Sequence, residues 1–359
     1  MATGVIGASI VLVAGAHALR RVRPTGRINP FFLLCVGFIF AQAGIAATIA
    51  VFKLRYHVPP SQMVKYLAEL PGDRPIVLLV GSSLTQYAID RDLLALQLAA
   101  AGHPVTVGRL GLGGLSIPER YHYIKQYLAV AHRRPSMVLF EISEYYDTDP
   151  LRQLQQNLYT TQEVAGMNLD TTWLSLEWIL GLSNDEPLER RIALAATVMG
   201  HFLLNVVHVG FMPQSISADR MVSSAFDWEP PKQAWLGDAF FARELAAVVK
   251  PSEKSSPLPI PSSWLARILD QEIGLFRAGG ASEFGFYQTP TTLPREYAYG
   301  VSFCSAMVGF PCILAGDPEL LAGLSHDEYW YDRTHLIDEG RRLYTLWFAE
   351  RLLEQTTLP

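Results

Sequence analysis

A chain of 359 residues can hold one large domain or two small ones, and half of its residues are hydrophobic while only 18% are charged. That balance excludes a disordered chain and suits a globular protein attached to a membrane. A net charge of −5, with no Lys/Arg-rich run beyond residue 30, excludes nucleic acid as an expected partner.

Two apolar stretches open the chain. Gly4–Leu19 is short for a membrane span, whereas Phe31–Phe52 is long enough and carries no charged residue. Between them lie Arg20, Arg21, Arg23 and Arg27, and no acidic residue precedes Glu69. The positive-inside rule assigns the arginine loop to the cytoplasm, so residues after Phe52 face outward. No small-residue cleavage site precedes the arginines, which argues against a signal peptide. Residues 1–57 are therefore expected to be a membrane anchor of one or two transmembrane helices.

After a Pro-containing linker at 58–60, Pro75–Val80 reads as a strand buried on both faces, because its apolar run has no polar break. Gly81-Ser82-Ser83 ends it. A helix is expected around Asp92–Ala101, a second strand over Val105–Leu110, a helix over Pro118–Ala131 and a third strand over Met137–Ile142. The rhythm returns late, with strands at Glu283–Gln288 and Phe310–Leu314 flanking a helix from Pro294 to about Met307. A last helix runs from about Asp338 to Glu354. Alternating strands and helices with short connections predict a parallel sheet covered on both faces.

Residues 150–265 break the rhythm with Trp, Pro and Ser, including Pro230-Pro231. They are expected to be a mostly helical insertion in an α/β domain covering 70–359. Within it, Ile192–Phe211 is apolar enough to span a membrane, but a single crossing would put residues 83 and 335 on opposite sides. It is read instead as a buried helix or one lying against the bilayer surface. His201, Asn205 and His208 share one face of it. No third ligand accompanies the two histidines, so no metal is expected. Of the three cysteines, Cys35 lies in the apolar run, leaving Cys304 and Cys312 as the one disulfide the globular part allows.

Ligands of parallel α/β sheets bind beyond the carboxyl ends of the strands. Ser82 and Ser83 follow the first strand, Gly113 and Gly114 the second, Ser143 and Glu144 the third. A serine at such a turn is exposed, and the backbone N–H groups around it suit the oxyanion of a tetrahedral acyl intermediate. Far downstream stands Asp332-Arg333-Thr334-His335, in which the carboxylate can orient one ring nitrogen and leave the other as a base. Each residue also has a plainer role available: Ser83 as a helix cap, Gly114 as a tight turn, Asp332 as the cap of the last helix, Glu144 as a solvated strand end.

These blocks, Val80-Gly81-Ser82-Ser83-Leu84-Thr85, Gly111-Leu112-Gly113-Gly114 and Asp332-Arg333-Thr334-His335-Leu336, resemble the SGNH, or GDSL, hydrolase family over roughly residues 75–147 and 280–355. The resemblance implies a flavodoxin-like three-layer fold. It also implies Ser83 as nucleophile, His335 as base, Asp332 as its orienting acid, and the N–H groups of Ser83 and Gly114 as oxyanion hole, with no cofactor. Two positions depart from the family. Ser82 stands where the family has Asp, and Glu141-Ile142-Ser143-Glu144-Tyr145 stands where a Gly-x-Asn-Asp block supplies an oxyanion-binding Asn. Behind an N-terminal anchor, such variants look like members that modify cell-envelope polymers. The expected function is thus a serine esterase or O-acyltransferase of the bacterial inner membrane, facing the periplasm or exterior. It would act on acylated glycans or small esters, with acetyl as the expected acyl group. A transferase would need an acyl donor, such as a membrane-bound O-acyltransferase partner. The alternatives are a non-catalytic envelope binding or assembly protein and a lipase-like enzyme at the bilayer.

Overall fold

The computed structural model describes residue 37 and residues 62–70, 72–111, 117–147, 169–180, 187–208, 236–248, 261 and 263–358. The expected spans at 4–19 and 31–52 lie outside these residues, apart from Gly37. Among the described residues no helix is long and apolar enough to cross a membrane.

Among the described residues, five parallel strands form one sheet in the order β2-β1-β3-β4-β5: β1 Ile76–Gly81, β2 Thr106–Gly111, β3 Met137–Glu141, β4 Glu283–Tyr287 and β5 Cys312–Ile313. The helices, in chain order, are α1 Gln62–Ala68, α2 Ser83–Ala88, α3 Arg91–Ala100, α4 Ile117–Val130, α5 Leu169–Leu180, α6 Leu188–His208, α7 Asp238–Val248, α8 Ser263–Ala278, α9 Pro294–Ala306, α10 Pro318–Gly323 and α11 Asp338–Gln355.

Strand β1 shows why the sheet is sandwiched. Its residues alternate between two cores. Ile76, Leu78 and Val80 pack with α1, α4, α8 and α9 on one face. Val77 and Leu79 pack with α3, α7, α10 and α11 on the other. Burying a Val, Leu or Ile side chain stabilises by roughly 1.5–3 kcal/mol, so a strand apolar on both sides belongs at the centre of the sheet. The chain leaves β1 toward β2 on one side and returns to β3 on the other. That reversal opens a crevice at the carboxyl ends of β1 and β3.

The differences from the expected elements have local causes. Strand β5 is shortened to two residues at the sheet edge, where the preceding Pro311 has no N–H to give a neighbour. Helix α2 is too short for an apolar period to reveal it. Helix α6 covers most of the apolar 192–211 stretch, with Leu194 and Val198 buried and Leu188 and Ile192 exposed. The side chains of His201, Asn205 and His208 lie outside the described residues. Helix α7 sends Phe241, Leu245 and Val248 into the second core. Cys304 in α9 and Cys312 in β5 form a disulfide.

Candidate active site

The Gly81-Ser82-Ser83 turn is built where β1 stops. Ser82 caps α2, its hydroxyl accepting the Leu84 N–H at 3.1 Å, and Ser83 is the first residue of the helix. Beneath the turn lies Glu141, the last residue of β3, only 4% exposed. One of its oxygens, Oε1, accepts the Ser82 hydroxyl at 2.7 Å and the Tyr146 hydroxyl at 3.3 Å. The other, Oε2, accepts the N–H groups of Ser82 at 3.1 Å and Thr85 at 2.8 Å, and the Thr85 hydroxyl. Since Thr85 spends its proton on Glu141, Tyr287 donates to the Thr85 oxygen, at 2.6 Å. Burial, reinforced by Glu141, pushes the Tyr146 and Tyr287 phenols well above their ordinary range, so both stay donors.

A side chain at position 81 would invade this arrangement. A Cβ on Gly81 would collide with the Thr85 hydroxyl and lie 2.8 Å from the Glu141 carboxylate. Glycine is thus required at the turn by close approach. Sequence reasoning missed Glu141. The available signal was a carboxylate closing the otherwise apolar strand Met137-Val138-Leu139-Phe140.

The Ser83 Oγ lies 2.9 Å from His335 Nε2. His335 Nδ1 lies 2.8 Å from Asp332 Oδ2. A carboxylate can only accept, so Nδ1 carries the ring proton and Nε2 is free to accept from Ser83. Asp332 Oδ1 accepts the N–H groups of Thr334 at 2.7 Å and His335 at 2.9 Å, and the Thr334 hydroxyl at 3.1 Å. Burial works to raise the Asp332 pKa. The hydrogen bonds from His335 and the Thr334 N–H outweigh it and hold the carboxyl at about 2.

The loop carrying this pair is pinned on both sides. Tyr331 N–H donates to the His335 carbonyl at 2.8 Å, and Trp330 bridges to Leu336. Trp330 is fully buried, stacked on Phe241 with ring centroids 5.2 Å apart, and its indole N–H donates to the Leu324 carbonyl at 2.7 Å. Tyr87, in α2, sets its ring edge-on to His335 at 5.2 Å. The cap of α11 is Ile337, so Asp332 does not serve as that cap.

The remaining expected residues fare differently. The Ser83 N–H stands at the turn, whereas Gly114 lies outside the described residues. The Ser143 hydroxyl accepts the Tyr145 N–H at 3.2 Å and is hydrogen-bonded to Glu296. Glu144 is salt-bridged to Arg295. Glu296 was not anticipated. Its carboxylate accepts the Glu144 N–H at 2.8 Å, and burial, against the opposing pull of Ser143 and that N–H, raises its pKa to about 7. Ser83, His335, Ser143, Tyr145, Gln288 and Glu296 all line one cleft of about 290 Å³.

No protein-family model matches the chain, and no curated protein matches it. The functional reading therefore rests on the residues themselves.

Proposed function

We propose that the chain is a serine esterase or O-acyltransferase of the SGNH-like kind, held at the inner membrane by its N-terminal apolar segments. It acts on acyl groups, acetyl in the first instance, esterified to an envelope or extracellular polysaccharide. The observation that carries this reading is the hydrogen-bonded series Ser83 Oγ, His335 Nε2, His335 Nδ1 and Asp332 Oδ2, with links of 2.9 and 2.8 Å. The strand order 2-1-3-4-5, the flavodoxin-like arrangement, and the site's position at the strand carboxyl ends support it as well.

In this mechanism Ser83 Oγ attacks the ester carbonyl as its proton passes to His335 Nε2. Asp332, ionised at any ordinary pH, stabilises the imidazolium. The tetrahedral oxyanion is held by backbone donors, the Ser83 N–H and, as proposed from sequence, that of Gly114. His335 then gives its proton to the leaving alcohol, and an acyl-Ser83 ester remains. Water or a sugar hydroxyl, deprotonated in turn by His335, attacks that ester. Hydrolysis results in the first case and transfer in the second. Lacking the third-block Asn, the site forgoes a donor worth about 3 kcal/mol in related chemistry. A binding-only role is opposed by a base already oriented onto a serine hydroxyl.

A fluorophosphonate probe tests the assignment. Wild-type protein is expected to label, and Ser83→Ala to stay unlabelled. Equal labelling of the two sinks the reading.

A further inference from the structure

Helix α2 brings two side chains to the His335 ring. Ser83 and Tyr87 stand four residues apart and so share one helical face. Ser83 meets Nε2 at 2.9 Å, and the Tyr87 ring meets the imidazole edge-to-face, with centroids 5.2 Å apart and planes at 82°. Tyr87 is in turn stacked with Tyr331 at 6.2 Å and 12°, and Tyr331 lies 6.3 Å from His335. The three rings form one closed set, each pair within the range at which aromatic rings attract. Tyr87 also has a fixed base. The Glu141 carboxylate grips the start of α2 through Ser82 and Thr85. Toward the other end, Arg109 of β2, only 7% exposed, donates from Nη1 to the Gln86 carbonyl at 3.1 Å.

The hydrogen bonds to the imidazole are unevenly placed. Asp332 Oδ2 lies 2.8 Å from Nδ1 and the Thr334 hydroxyl 3.3 Å from it. Nε2 meets, among the described residues, the Ser83 hydroxyl. In the proposed reaction Ser83 Oγ becomes an ester oxygen with no proton to give. Nε2 then loses this partner at the stage where it must take a proton from water or a sugar hydroxyl. The contacts at Nδ1 hold one end of the ring, and hydrogen bonds tolerate a range of angles, so the other end can tilt. A ring packed edge-to-face resists that tilt by contact, whatever Ser83 carries. The lining of the cleft includes Ser83 and His335 and neither tyrosine. The two rings therefore hold the base without filling the space open to a substrate.

We infer that Tyr87, backed by Tyr331, is a positioning residue that keeps the His335 ring aimed at Ser83 when the serine hydroxyl no longer binds Nε2, and so serves the breakdown of the acyl-enzyme more than its formation. The kinetic consequence rests on the proposed role of Ser83; the hold on the ring does not.

The test has a structural and a kinetic arm, both on the full chain in detergent. Ser83→Ala removes the hydroxyl at Nε2, as acylation removes its proton, and needs no reaction. In crystal structures the His335 ring is expected to keep its place in Ser83→Ala, and to turn or lose order when Tyr87→Leu is added. A ring that moves in Ser83→Ala alone, or stays in place in both, overturns the inference. Melting temperatures decide whether Tyr87→Leu or Tyr87→Met is carried forward. For the kinetic arm, p-nitrophenyl acetate is the substrate, with nitrophenol release and the acetylated fraction by intact mass as readouts. The variant without the ring is expected to slow deacylation by about tenfold or more and acylation by less than about threefold, so that acetyl-enzyme accumulates. Tyr87→Phe restores the ring and is expected to recover most of the lost deacylation rate. Equal slowing of both steps, or no recovery with Tyr87→Phe, overturns the inference. A ring that behaves as expected in a protein whose Ser83 is never acetylated would sink the catalytic reading and retain the hold of Tyr87 on His335.

Discussion

The Glu141 carboxylate grips Thr85 twice, through its backbone N–H at 2.8 Å and through its hydroxyl. With the two bonds from Ser82, one carboxylate from β3 fixes the residues on either side of Ser83. Glu141→Ala would leave two buried N–H groups unpaired and cost about 3 kcal/mol. We expect a lower melting temperature and at least a tenfold slower fluorophosphonate labelling rate, with Glu141→Gln intermediate because its amide keeps one acceptor. Wild-type labelling by folded Glu141→Ala would show that the clamp does not position the serine.

Asp332→Asn tests the other end of the series. An amide in place of the carboxylate no longer selects the Nδ1-protonated ring, and the labelling rate should fall roughly a hundredfold or more. The same substitution should change acid stability. The Asp332 pKa is depressed from 3.8 to about 2, so its contribution is complete above pH 3.8 and is lost as pH falls through 2. That contribution is at most about 2 kcal/mol, because water partly screens the half-buried carboxylate. Urea titrations from pH 5 down to pH 2 should show wild type losing it and Asp332→Asn lacking it. Parallel curves would contradict the account.

Glu296 should behave in the opposite sense. Its pKa is raised from 4.5 to about 7, so its favourable, protonated contribution is complete below pH 4.5 and lost as pH rises through 7. Glu296→Gln has no proton to lose. It should gain stability relative to wild type between pH 4.5 and 7, by up to about 3 kcal/mol, and hold that gain above pH 7. A difference that stays constant from pH 4 to 9 would place the carboxyl in a more watery setting than the structure gives it.

Arg120 in α4 and Glu272 in α8 form a fully buried bidentate pair, with N···O distances of 2.9 and 2.7 Å. The Arg120 guanidinium also sits 5.0 Å from the centre of the Tyr146 ring, which reaches Glu141. Removing Arg120 alone strands a buried carboxylate, at about 3–5 kcal/mol. Replacing both, as Arg120→Met with Glu272→Leu, should cost far less. If urea midpoints show the single and double variants equally damaged, packing, not charge pairing, is what the two residues supply.

Much of the sheet was legible because β1 and β3 are apolar without interruption and only a doubly covered parallel strand can use such a run. Ser83 and His335 were legible for a different reason: their residue types carry chemistry and they fall at a strand end and before a helix. Glu141 and Glu296 were not legible. Nothing in a sequence distinguishes a glutamate at a strand end or in a first helical turn as solvated or inward-facing. That depends on which strands become neighbours, here β1 beside β3 and α9 beside the turn after β3. The six-residue α2 was hidden for lack of length, and β5 was overestimated because an apolar run says nothing about how much of it finds a partner.

Ser83 and His335 touch across a sequence separation of 252 residues. Ribosomes therefore make Ser83 long before they make the histidine that meets it. Under the proposed role, Ser83 would be an ordinary alcohol until the loop before α11 has been made and packed beside it. A nascent chain would then stay chemically silent until its C-terminal segment has taken its place.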